Sequence, residues 1–362
     1  LAVTIDKAFD PFNRLPITLS VDTPVQTTIQ KMMARWSRHY DATVENRIGN
    51  PPSWFTPSGD NCRDMAFNPT TRHLLISNDS TQSIHIMNSV DGSDLGRLDN
   101  TGLTGGYRNL MSLDVAADGV IYACNYDSTQ FRIYQWANET ATCSLAAQIS
   151  LPSYAGRVVR AWGSGAETKL FVTSSEPYIR FHVLTTGNGT QFGLSETVNL
   201  SSVTVGSYGI YGVGVESASS LLLKGSQSEL YRVVKSGSTW QLSAVNNEGF
   251  VSGLGTSLVA QNMEDYMGSL IHQDTGPYLL STGVSTTVNG ALIYQWSENH
   301  PVLRGAALFP STNPNTNLAG NVCYDPITAT LYVMKTNNGM AAYDMTPFVG
   351  PTAAPLWNNL MD

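Results

Sequence analysis

Apolar and polar positions alternate along most of this chain in short runs, each set off by a turn rich in Pro, Gly, Asp or Asn. The clearest phrase is Phe67-Asn68-Pro69 leading into His73-Leu74-Leu75-Ile76-Ser77, and it returns as Tyr324-Asp325-Pro326 leading into Leu331-Tyr332-Val333-Met334, 257 residues further on. Weaker copies lie at 115–124, where Asp118-Gly119 makes the turn, and at 163–173, 215–224 and 272–281. A second, alternating run follows in each unit, at 83–87, 131–136, 178–184, 230–234, 292–296 and 340–343. Runs of this length and period are strands. Five steps over 257 residues give about 51 residues per unit, the spacing of four-stranded blades around an axis and not of helical solenoids. The identical tetrapeptides Ile133-Tyr134-Gln135-Trp136 and Ile293-Tyr294-Gln295-Trp296, 160 residues apart, carry the same period over three units. The expectation is an all-β chain forming a β-propeller of six blades, with a seventh, degenerate blade built partly from 23–60 as the alternative. Trp136 and Trp296 hold equivalent places in the repeat and are expected to pack between blades.

The first sixty residues do not share the repeat. Leu1, Val3 and Ile5 alternate with polar neighbours, and so do Ile17, Leu19 and Val21, on either side of breaks at Pro11 and Pro16. That is strand patterning, so residues 1–40 read as a strand-forming arm and 41–362 as the propeller. Within the arm, Ile29, Met32, Met33, Trp36 and Tyr40 fall at helical spacing, although Arg35-Trp36-Ser37 reads equally well as an outer strand. A ring without covalent closure is fastened by pairing its chain ends, so an N-terminal segment is expected to complete one blade.

Charged residues make up 13% of the 362, about half of the ~25% usual in soluble domains, and Ser, Thr, Asn, Gln and Gly carry the polarity instead. With 20 basic against 28 acidic side chains the net charge is -8, which gives no electrostatic footprint for nucleic acid or anionic lipid. No apolar run reaches the ~20 residues of a membrane helix. The chain opens on Leu1, as it would after removal of a signal peptide, and the expected location is extracellular. Sequons at Asn78, Asn138, Asn188 and Asn199 are glycosylation candidates in that setting. Cys62, Cys124, Cys143 and Cys323 show no CxxC and no interleaved His, which argues against zinc. Three pairings are open to them. The favoured one joins Cys124 to Cys143 within a blade and Cys62 to Cys323 across the closure of the ring, and four free thiols is the alternative.

The run Arg63-Asp64-Met65-Ala66-Phe67-Asn68-Pro69 with Leu74-Leu75-Ile76-Ser77, the following Val90-Asp91-Gly92-Ser93-Asp94-Leu95-Gly96, and Ala117-Asp118-Gly119-Val120-Ile121-Tyr122-Ala123-Cys124-Asn125 before Phe131-Arg132-Ile133-Tyr134-Gln135-Trp136 resemble secreted bacterial propeller proteins of unassigned function. The likeness is best over residues 60–140. It implies a propeller fold and export and carries over no catalytic residue. The arm departs from that family's pattern, so its role rests on its own residues.

Patterns for a nucleophile elbow, a metalloprotease helix, a phosphate loop and an EF-hand are missing from the sequence. Asp91-Gly92-Ser93-Asp94 reads as a blade turn, with calcium as the lesser alternative, and no cofactor is expected. Polar residues placed where inner strands begin form the channel set: Arg63, Asp64, Asn109, Arg160, Glu264, Asp265 and Asn321. By a general likeness to lactonase-type propellers at the level of fold, Asp64, Glu264, Asp265 and Asn321 would hold a metal and activate water. Trp54, Trp162, Trp240 and Tyr211, with Tyr208, are candidates for stacking on sugar rings. Three functions follow. The first is a non-enzymatic extracellular subunit whose arm (Leu1, Val3, Ile5, Ile17, Leu19, Val21) adds a strand to another copy and builds a filament or surface layer. The second is a monomeric module binding glycans or other ligands, and the third a metal-dependent hydrolase or lyase at the channel mouth.

Overall fold

In a computed structural model the described residues are 3–4, 20–21, 29–105, 108–225, 228–251, 257–261, 263, 265–270, 277–279, 285–287, 290–297, 299–316 and 318–349. Leu1, Ile5, Ile17, Leu19 and Glu264 lie outside them.

Six antiparallel sheets follow one another along the chain. Blade 1 comprises Cys62–Phe67, His73–Asn78, Ser83–Asn88 and Asp94–Arg97. Blade 2 comprises Ser112–Val115, Ile121–Cys124, Phe131–Trp136 and Ser144–Ile149. Blade 3 runs through Ala155–Trp162, Lys169–Ser174, Tyr178–Thr186 and Phe192–Thr204, and blade 4 through Ile210–Ser217, Ser220–Gly225, Leu230–Ser236 and Thr239–Ser243. Blade 5 uses Ser257–Val259, Tyr266–Leu270, Gly290–Ser297 and His300–Leu308, and blade 6 uses Gly320–Asp325, Thr330–Lys335 and Gly339–Asp344. The first strand of every blade touches the first strand of the next, and blade 6 meets blade 1 in the same way, so the inner strands form a closed ring. The chain is a six-bladed β-propeller.

The turns explain the recurring phrase. Asn68 Oδ1 accepts from the backbone N–H and the hydroxyl of Thr70, Asp118 Oδ1 from Val120 N–H, and Asp325 Oδ1 from Ile327 N–H. An Asn or Asp side chain bonded to the backbone two residues on makes the tight reversal between the first and second strands. The apolar run after the turn, such as His73–Asn78, is thus the second strand of its blade, and the innermost strand precedes the turn.

Closure is made by the N-terminal segment. Ala34–His39 pairs antiparallel with Gly339–Asp344 as the fourth strand of blade 6, so the helical reading of this stretch gives way to the strand. Helical spacing loses because one face of the strand is taken by blade 1: Trp36 is buried, and its indole Nε1 donates to Ser89 O at 3.0 Å. Arg47–Gly49 adds a further parallel strand outside it, and Gln30–Lys31 pairs parallel with the last strand of blade 5. Residues 30–49 therefore extend two existing blades, and no seventh blade stands among the described residues. Val3–Thr4 pairs antiparallel with Ser20–Val21 as a separate two-stranded sheet.

Each junction between neighbouring blades holds its own apolar cluster. Leu75, Leu113 and Trp136 fill the first junction, and Trp36, Met65 and Tyr332 fill the closing one. Trp296 packs against the cluster between blades 4 and 5, as its counterpart Trp136 does between blades 1 and 2.

Two sequence expectations fail. Residues 272–281 do not begin blade 5: its inner strand is Ser257–Val259, and Pro277–Leu279 pairs with Ser285–Thr287 in a hairpin inserted between the second and third strands. The cysteines are four free, buried thiols. Cys124 packs toward blade 3 with Phe131 and Val159, whereas Cys143 packs toward blade 1 with Leu113 and Trp136. They occupy opposite faces of one sheet, which alternation of side chains keeps apart. Cys62 and Cys323 share the closing cluster as thiols.

Candidate ligand-binding site

The inner strands run side by side, so the residues that open them converge on one end of the axis. Arg63 is second in its strand, Arg157 third and Tyr211 second, and together with Asp64, Arg160 and the backbone of 318–320 they line a mouth of about 380 Å³. Arg160 also lines the waist below it, with Asp114, Asn321 and Cys323, and Asp114 reaches the far opening beside Phe67 and Tyr324.

At the waist the charges are spent on the protein itself. Arg160 Nη1 donates to Asp64 Oδ2 at 3.1 Å and to the carbonyls of Val159 at 2.7 Å and Leu113 at 3.4 Å. Asp64 Oδ2 also accepts from Leu113 N–H at 3.2 Å and from the Ser112 hydroxyl, while Oδ1 accepts from Met65 N–H at 2.9 Å. Ser112 Oγ in turn accepts from Val159 N–H at 3.0 Å. One carboxylate thus ties blades 1, 2 and 3 together. Burial alone would lower the Arg160 guanidinium, but Asp64 and Asp114 beside it hold it above its usual value. Burial pushes Asp114 up to about 6 against the pull of Arg160, and its Oδ2 accepts from Ala161 N–H at 2.7 Å.

The mouth differs. Arg63 is only 7% exposed, yet its Nε has no hydrogen-bond partner. Its Nη2 lies 3.7 Å from Asp79 Oδ2, which Arg108 approaches at 3.5 Å, so one carboxylate oxygen is divided between two guanidiniums. Burial first, and then the charge of Arg108, lowers the Arg63 guanidinium, with Arg157 adding to the repulsion. Arg157 lies between two rings, its Cζ 5.5 Å from the centroid of Tyr126 and 4.5 Å from that of Tyr211, and its Nε is likewise unpartnered. Tyr154 stacks on Tyr126 at 5.3 Å. Burial raises the Tyr211 phenol, Arg157 opposes it, and the charge of nearby Tyr208 adds to the rise. Tyr154 and Tyr208 are 50% and 63% exposed.

Of the predicted channel set, Arg63, Asp64, Arg160 and Asn321 line the axis. Asn321 Nδ2 donates to Met65 O at 2.9 Å and its Oδ1 is unpartnered, as is Asn109 Oδ1. Asp265 is a correction: it is exposed in the turn before Tyr266–Leu270, the second strand of blade 5, and so sits at the far end from the mouth. With the Asp64 carboxylate committed to four donors and Asp265 elsewhere, the acidic quartet does not assemble. Among the described residues no three His, Cys, Asp or Glu side chains gather as a metal-ligand set. In the proposed calcium turn, Asp91 Oδ1 accepts from Ser93 N–H and Asp94 carries Gly96 N–H and the Trp54 indole.

Of the aromatic candidates, Tyr211 lines the mouth. Trp54 instead stacks on His85 at 3.8 Å on the outside of blade 1, Trp162 ends the inner strand of blade 3 at the far face, and Trp240 is buried with its Nε1 on Glu196 at 2.9 Å. Among the sequons, Asn78 is buried with its amide donating to Trp54 O, which removes it as an acceptor, while Asn138, Asn188 and Asn199 are exposed. Sequence reasoning passed over Arg157, Tyr126 and Tyr154. Aligning the units on their inner strands would have found Arg157, which holds nearly the place of Arg63.

The fold is similar to that of a DUF4623 family protein from Bacteroides eggerthii DSM 20697, with a TM-score of 0.52 at 14% identity over 88% of this chain and 77% of that one. Hydrazine synthase from Kuenenia stuttgartiensis gives a TM-score of 0.49 at 14% identity over 81% of this chain and 79% of that one. At such identity the likeness concerns the path of the chain alone. No family model and no curated protein matches the sequence.

Proposed function

We propose that the protein is a non-enzymatic, secreted propeller that binds a small ligand, or the end of a glycan, at the mouth where the inner strands begin. The observation that carries this reading is Arg63, a nine-tenths buried guanidinium whose Nε lacks a partner and which faces a cavity shared with Arg157. An unsatisfied buried donor costs about 1–3 kcal/mol, a cost that an incoming acceptor would remove. The charges of the waist below are spent on bonds within the protein, which suits a site that holds and does not react. Calorimetric screening of neutral and acidic sugars, amino acids and organic acids against the protein and its Arg157→Ala/Tyr211→Ala double variant tests it. A ligand lost in the double variant is expected. Binding that survives the double variant, or a screen with no ligand at all, sinks the proposal.

Self-association through the arm is kept as a second reading on one observation. Val3–Thr4 and Ser20–Val21 pair only with each other among the described residues, and a two-stranded sheet is marginal alone in water. Adding that pair to a sheet edge of another copy would stabilise it and build a filament or surface layer. Light scattering of a chain lacking residues 1–22 decides this: the mass should fall to that of one ring, and an unchanged mass removes the reading.

A further inference from the structure

Resting on the reading of the mouth as a ligand site, we infer that its ligand is a carboxylate-bearing pyranose, an acidic sugar of the uronic acid type. Its carboxylate sits against Arg63 and Arg157, and its ring lies on the tyrosine strip. Three features point to this class. The first is the pair of unpartnered Nε donors on two guanidiniums that repel one another across the mouth, a repulsion an anion relieves. A guanidinium presents a planar fork that matches a planar carboxylate with two parallel hydrogen bonds. Arg157 packs against the rings of Tyr126 and Tyr211, and its Nε is left to donate.

The second is the strip itself. Tyr154, Tyr126, Arg157 and Tyr211 follow one another in contact, Tyr208 lies near Tyr211, and Tyr154 and Tyr208 are half or more exposed. An aromatic face covers the apolar side of a pyranose, while phenol hydroxyls at its edge reach sugar hydroxyls. A cation in the middle of such a strip suits a ring that carries an acid. The third is the charge of the whole chain. The net charge of -8 disfavours a long polyanion, so the ligand is a short acid or a chain end.

Isothermal titration of the full chain at 0.15 M salt with digalacturonate, its dimethyl ester, maltose, glucose 6-phosphate and acetate separates the features. Digalacturonate should bind, and the ester, which keeps both rings and loses both charges, should bind ~10- to 100-fold more weakly, the range for a charge-assisted hydrogen bond. Arg157→Gln should cause a loss of the same order, and Tyr208→Ala a smaller one. Arg63→Gln should match Arg157→Gln. Because Arg63 is buried beside Asp79 and its loss can unfold blade 1, Arg157→Gln, which breaks no ion pair, decides the outcome. The inference is overturned if the ester or maltose binds as tightly as the acid, if glucose 6-phosphate or acetate binds more tightly, or if Arg157→Gln binds digalacturonate unchanged. Each of those results leaves a ligand site at the mouth standing. Absence of any ligand lost in the Arg157→Ala/Tyr211→Ala variant removes both.

Discussion

Lys224 sits at the end of the Leu-Leu-Leu-Lys-Gly run in blade 4, fully buried, with Nζ donating to Gly225 O at 2.9 Å. Burial lowers its ammonium from 10.5 to about 7. An amine that holds its proton to pH ~10.5 when unfolded but to about 7 when folded binds more protons in the unfolded chain across that window. Stability therefore rises with pH from 7 to 10.5 and is lowest, and flat for this group, below 7. Lys224→Met should raise the melting temperature most at pH 6 to 7, by a gain worth a few kcal/mol, and the gain should shrink toward pH 10. Equal gains at pH 6.5 and 10 would remove titration as the cause. Nothing in a Leu-rich strand announces that cost, because the sequence shows a polar residue in an apolar run but not the absence of a carboxylate. The mouth was half legible for a similar reason. Arg63 stood out beside Asp64 and Tyr211 among the aromatics, whereas Arg157 gains meaning only when the blades are brought into register.

Among the elements, Ala34–His39 has the largest consequence for its size, since it supplies the outer strand of blade 6 and faces blade 1. Gly92, at φ +63°, turns beneath Trp36 so closely that a Cβ there would lie 2.6 Å from the indole ring. Trp36→Ala opens that contact and leaves Ser89 O without its donor, and it should cost about 3–5 kcal/mol in urea denaturation. Removing residues 1–28 should cost far less than removing 1–39, which deletes the closing strand. Equal losses would place closure elsewhere. This stretch admits two readings because a six-residue strand with two extra apolar neighbours also satisfies helical spacing, and only its pairing with Gly339–Asp344 separates them. Blade 5 was misread for another physical reason: the inserted hairpin at 277–287 has the same apolar, turn-bounded signature as a blade strand. Asp265 was assigned to the wrong end of the axis with it.

At the scale of the whole ring, a period of about 51 residues pointed to six blades and left a seventh open, which the pairing of Ala34–His39 with blade 6 decides. What the period could not give is how the ring is fastened, since pairing of distant segments leaves no local mark. The cysteines show the difference. An even count with one cysteine in blade 1 and one in blade 6 invites a covalent staple, yet closure is already made by five backbone-paired residues and the apolar cluster around Trp36. Burial raises all four thiols, Cys143 to about 12 and the others too, so almost no thiolate exists near neutrality. The thiolate is the species that reacts with alkylating agents and disulfides. The native ring at pH 8 should therefore take up no iodoacetamide over an hour and should melt at the same temperature with or without dithiothreitol, while four cysteines label in guanidinium. If reductant lowers the melting temperature, or if fewer than four thiols label after unfolding without reductant, a bridge contributes to closure and the ring is not held by strand pairing and packing alone.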